Sequence, residues 1–125
     1  MAKKLRWNRC PERWQMEKMT HFEEIQIKDF LFDNHNVAMV RDILLKSAHV
    51  ESAHLESGYL YCYTVDHSHN MLDEEQVVRI LSRDAAYDAE NRRFSIPNSR
   101  DYFQLKFFYY RDNVYALEIT RVSEH

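Results

Sequence analysis

Glycine occurs once in these 125 residues, at Gly58. Loops that cradle phosphate need several glycines, because the backbone must reach positive φ and approach the ligand without a Cβ in the way. The chain therefore carries neither a Walker loop nor a dinucleotide fingerprint. A Ser-His-Asp nucleophile elbow is excluded on similar grounds, since its sharp turn and oxyanion donors are usually built with glycine. Cysteine is nearly as scarce: Cys10 and Cys62 form no CxxC pair. Reduced thiols are expected, with Cys62 a small hydrophobe buried in a strand. No apolar run is long enough to span a bilayer. Met1 to Arg6 carries charge but no apolar stretch of a leader, so no signal peptide is expected and the expected location is cytoplasmic.

What is present is apolar and aromatic. A content of 45% hydrophobic and 14% aromatic residues in 15.2 kDa suffices for one core, so a single domain over residues 1–125 is expected. Charge is unevenly spread. Residues 1–20 hold Lys3, Lys4, Arg6, Arg9, Arg13 and Lys18 against Glu12 and Glu17, a net +4 that leaves −7 for the remainder of a chain at −3. This segment reads as a basic N-terminal arm or helix, able either to dock on the acidic body or to reach for an anionic partner. Trp7 and Trp14, seven apart, would share one helical face and bury against a core.

Hydrophobic periodicity supplies the elements. Pro11 suits the first turn of a short helix running to about Met19, and residues 22–32 read as a strand through Ile25 and Ile27. The cluster Asp33-Asn34-His35-Asn36 caps a helix whose apolar positions are Val37, Val40, Leu44 and Ala48. Residues 50–55 form a weak strand and residues 59–65 an alternating one. Asp73 and Gln76 spell a capping box, with Leu72 stapled to Val77, at the start of a second helix. A hairpin turning at Asp88-Ala89-Glu90-Asn91 follows. In the last hairpin the apolar sets of residues 102–110 and 114–122 meet only if Phe107 opposes Leu117, which makes Arg111-Asp112-Asn113 the loop and sets Lys106 against Glu118 and Gln104 against Thr120. The expected fold is α+β, an antiparallel sheet with helices mainly on one face, in a ferredoxin-like βαββαβ order followed by C-terminal β-hairpins.

Candidate chemistry is sparse. Asp66, His67 and His69 sit just past a strand, and the two imidazoles would face one way and could share a divalent cation that activates water. A metal-dependent hydrolase or nuclease is the alternative this cluster supports, against the bland reading of a polar loop. A second alternative is nucleic-acid binding through the basic arm, opposed by the acidic body. The stronger signal is aromatic excess: Tyr59, Tyr61 and Tyr63 on one strand, and Tyr102, Phe108 and Tyr110 on another, lie opposite side chains that already fill the core. Phe103, Leu105, Phe107 and Tyr109 are that inner set. Either the N-terminal helix covers the surplus rings, or they form a contact face. The expected function is a small non-catalytic binding or regulatory protein of inhibitor, immunity or adaptor type. It would use an aromatic sheet face with an acidic rim to hold a protein partner or a second copy, with no cofactor and no membrane.

Overall fold

The computed structural model describes residues 4–8, 12–57, 72–83, 85–110 and 115–123. In chain order they form β1 (Lys4–Trp7), α1 (Arg13–Met16) running into a 3-10 turn (Glu17–His21), β2 (Glu24–Ile27), α2 (Asn34–Lys46) and β3 (Ser52–Glu56). Then come α3 (Glu74–Leu81), β4 (Tyr87–Asp88), β5 (Arg93–Ser95), β6 (Asp101–Tyr109) and β7 (Tyr115–Ser123). The described strands join in one seven-stranded sheet of order β1-β2-β3-β7-β6-β5-β4, a mixed α+β architecture.

The sheet is mixed, with two parallel and four antiparallel pairings among the described strands, not antiparallel throughout. β1, β2 and β3 run parallel, whereas β3–β7, β7–β6, β6–β5 and β5–β4 are antiparallel. A ferredoxin-like unit would insert a strand between β2 and β3, but these two pair directly, Ile25 beside Ala53 and Ile27 beside Leu55. Parallel neighbours need a long crossover, and α2 supplies it. The other departure is β1. Lys4-Leu5-Arg6-Trp7 alternates in exposure and pairs along β2, so this part of the basic arm is a strand of the sheet and not a helix. Trp7 and Trp14 consequently share no helical face.

Both longer helices start where their sequences dictate. Asp33 accepts a hydrogen bond from the Asn36 amide at 2.8 Å and caps α2. At α3 the Asp73 carboxylate accepts from the Gln76 amide and the Gln76 side-chain oxygen accepts from the Asp73 amide, each at 2.9 Å, completing a capping box. Val37, Val40 and Leu44 are buried as the periodicity requires, joined by Met39 and Ile43. Ala48 is not: α2 ends at its C-cap Ser47, and Ala48 is exposed beyond it.

One hydrophobic cluster takes side chains from α2, α3 and a single face of the strands: Ile25 and Ile27 of β2, Ala53 and Leu55 of β3, Leu117 and Ile119 of β7, and Phe103, Leu105 and Phe107 of β6. Burial of this kind supplies most of the stabilisation available to a domain of this size. The Phe30-Leu31-Phe32 block is irregular chain beyond β2, because Asp29 turns the backbone to φ 54° and ends the strand. Phe30 and Phe32 are nevertheless fully buried and meet edge-on at 4.8 Å. Two polar anchors tie helix to sheet. Ser47 Oγ donates to the Thr20 carbonyl at 2.6 Å and accepts from the His49 and Val50 amides at 3.0 Å. Arg121 of β7 donates to the carbonyls of Ser47 and Val50 and to Asp101, each at 3.2 Å, so that a cation satisfies carbonyls at the C-terminal end of α2.

The final hairpin has the expected register. Phe107 opposes Leu117, Lys106 opposes Glu118 and Gln104 opposes Thr120. The Arg111-Asp112-Asn113 loop itself lies outside the described residues, as do Cys10, Cys62 and the strand expected at residues 59–65. The earlier hairpin is also present: β4 pairs with β5, and Asp88 Oδ1 accepts from the Glu90 and Asn91 amides in the turn.

Candidate functional site

Because side chains alternate across a strand, the face opposite the core can be read directly from the pairing register. Two polar rows cross it. The first runs Lys4, Glu24, Ser52, Thr120, Gln104, Arg93, and the second Arg6, Gln26, His54, Glu118, Lys106. Apolar groups flank them, Tyr102 and Val122 on one side, Phe108 and Ala116 on the other. A hollow opens over part of this face. The hollow, of about 430 Å³, is lined by polar side chains of β1, β2, β3 and β7.

Its charges are interleaved. Lys4 Nζ lies 3.5 Å from Glu24 and His54 Nδ1 lies 3.4 Å from Glu118. Lys106, Arg6 and Arg93 add positive charge, so among the described residues the rim is mixed in sign and not acidic as expected. Pairs this exposed contribute little to stability and leave their charges available to a partner.

The aromatic positions expected to make contact divide into two groups. Tyr59, Tyr61 and Tyr63 lie outside the described residues, and so do the candidate metal ligands Asp66, His67 and His69. Among the described residues no group of three His, Cys, Asp or Glu side chains is placed to hold a cation. Tyr102 and Phe108 are on the predicted face, each half-buried and each covered by a cation: Arg93 lies 4.3 Å from the Tyr102 ring centre and Lys106 Nζ 5.0 Å from that of Phe108. They do not form one patch, since Gln104 and Lys106 separate them over about 20 Å of strand. Tyr110, just past β6, is 51% exposed.

Two exposed rings were not among the expected contacts. Trp14 is 60% exposed on α1, its indole N–H donating to Glu12 at 2.8 Å and its ring facing Lys18. The N-terminal segment therefore leaves this indole in solvent. Tyr109, assigned to the core by parity, is 63% exposed. It stands at the end of β6 and reaches α3, where its hydroxyl donates to Glu74, which also pairs with Arg92 at 3.1 Å. Partial desolvation and then the Glu74 hydrogen bond push the Tyr109 phenol up to about 12. Burial also raises the neighbouring Tyr115 phenol, which donates to the Leu72 carbonyl at 2.6 Å. Both phenols stay protonated near neutral pH and act as hydrogen-bond donors.

Comparison with known proteins follows the same division of the chain. The family model for the FTH domain matches residues 1–84, which takes in β1, β2, β3, α2 and α3 and stops before β4. No curated protein and no solved structure matches. Since the match covers 84 of the 125 residues, this chain belongs to the FTH domain family.

Proposed function

We propose that this protein is a non-catalytic binding protein of the adaptor type, cytoplasmic, that captures a protein partner on the open face of its sheet. The FTH domain is of an F-box-associated type, which suggests protein interaction and supports a binding reading. The observation that carries the proposal is the contrast between faces: one set of strand side chains is sealed in the core, while the opposite set forms a hollow over β1, β2, β3 and β7 that is open among the described residues, with Tyr102 and Phe108 on the adjoining strand β6. Tyr102 and Phe108 can serve as anchors beside the polar belt, since a few aromatic residues carry much of the energy of an interface. Among the described residues no helix is long and apolar enough to cross a membrane.

Affinity capture from the native host, with bound proteins identified by mass spectrometry, tests this. Thr120→Arg fills the hollow from an exposed position, and the Tyr102→Ala, Phe108→Ala pair removes the flanking rings. Each is expected to abolish capture of the same partner while leaving circular dichroism unchanged. Capture that survives both sets of changes would sink the proposal. Partner-independent self-association through this face would replace it with a homodimer.

A further inference from the structure

Among the described residues β1 is the outer strand of the sheet and pairs with β2 on one side. A strand so placed turns half of its backbone N–H and C=O groups outward, a template that another extended chain can complete. The side chains of β1 determine which chain would fit. Lys4 and Arg6 project on the reverse face, while Leu5 and Trp7 lie half-buried against the core.

Charge argues against a second copy as the occupant. If two β1 strands paired with their faces matched, Lys4 and Arg6 of one copy would sit opposite Arg6 and Lys4 of the other, and directly opposed like charges destabilise a pair. An acidic strand reverses that sign. Lys4 already has Glu24 at 3.5 Å, but Arg6 is exposed, faces Gln26 and then His54, and has no carboxylate within ion-pair distance among the described residues. The second polar row is thus one carboxylate short at its outer end. Residues 1–20 carry a net +4 while the rest of the chain is net acidic, so β1 brings positive charge to the edge of a mostly acidic body.

We propose that β1 is the docking edge for an extended acidic segment of a partner protein, added as a further strand with carboxylates alternating opposite Lys4 and Arg6 and apolar side chains continuing the row of Leu5 and Trp7. The inference rests on the protein-binding reading and names the chemistry of the partner. Backbone hydrogen bonds to β1 give affinity, and the alternating pattern gives register and selectivity.

The test uses the full chain and a synthetic decapeptide alternating glutamate and valine, followed by amide NMR and fluorescence anisotropy. Lys4–Trp7 amides are expected to shift and to exchange more slowly on binding. Arg6→Glu is expected to weaken the acidic peptide by roughly tenfold or more and to create affinity for the lysine–valine counterpart. Equal binding of a peptide with the same composition in two blocks would overturn the proposal, as would unchanged affinity in Arg6→Glu. Tighter retention of a single-stranded oligonucleotide than of the acidic peptide would assign the edge to nucleic acid and overturn it too. If shifts cluster around Thr120 while β1 stays silent, or if the native partner is captured equally by Arg6→Glu, the edge proposal fails and the sheet-face reading stands.

Discussion

The two faces of this sheet are made by the same strands and follow opposite rules. On the inner face Phe103, Leu105, Leu117 and Ile119 are essentially sealed, and the cluster they form holds α2 and α3. On the outer face the residues one step along, Gln104, Lys106, Glu118 and Thr120, form a polar belt. Alternation at period two lets one strand serve a core and a solvated surface together. On the proposed function, stability and recognition are separated between the two faces: loss inside should unfold the protein, and loss outside should disarm it.

The sharpest way to break that contrast is to shorten a ring on each side. Phe103→Ala, at a fully buried site, is expected to cost about 3–5 kcal/mol in urea denaturation, whereas Phe108→Ala, half-buried on the outer face, is expected to cost roughly 1 kcal/mol or less. Similar costs would mean that the outer face is also core. Ser47→Ala comes next. Removing the hydroxyl takes away its hydrogen bonds to the Thr20 carbonyl and to the His49 and Val50 amides, an expected loss of about 2 kcal/mol, and Ser47→Thr should restore part of it.

Asp73→Ala removes the cap of α3 at an expected cost of about 1 kcal/mol, and Asp73→Asn, an equally good cap, should retain most of the stability. On the outer face a double-mutant cycle between His54 and Glu118 is expected to give a coupling below about 1 kcal/mol that shrinks with added salt. The smallest effect concerns alkali. The folded-state pKa of Tyr109 lies above the ordinary phenol value near 10, so its contribution is complete below pH 10 and is lost as pH rises through about 12. Tyr109→Phe should flatten the fall in thermal midpoint over that interval, and an unchanged slope would show that Tyr109 does not contribute to it.

Short-range order was legible in the residues. The capping box at Asp73 and Gln76, the Asp33 cap and the Phe107–Leu117 register each rest on neighbours in sequence or on one hairpin, where local geometry leaves few options. Long-range order was not. β1 is four residues long, carries two cations and becomes a strand only because β2 lies alongside it. Tyr109 keeps the helix side that parity assigns it but stands past the core at the end of β6, where α3 offers Glu74. Tyr102 and Phe108 lie on the outer face where alternation puts them, but the polar belt between them was invisible until the rows from five other strands were aligned.

By itself the sequence determined the two capped helices, the last hairpin with its register, and the exclusion of glycine-built phosphate sites, since each depends on contacts within a few residues or on composition. Only the tertiary structure decided that the basic start becomes a parallel edge strand, that β2 and β3 pair without a strand between them, and that polar side chains far apart in the chain assemble into one hollow. Such pairings cost loop-closure entropy and are stabilised by burial shared across the whole core, a sum that no local stretch of residues contains.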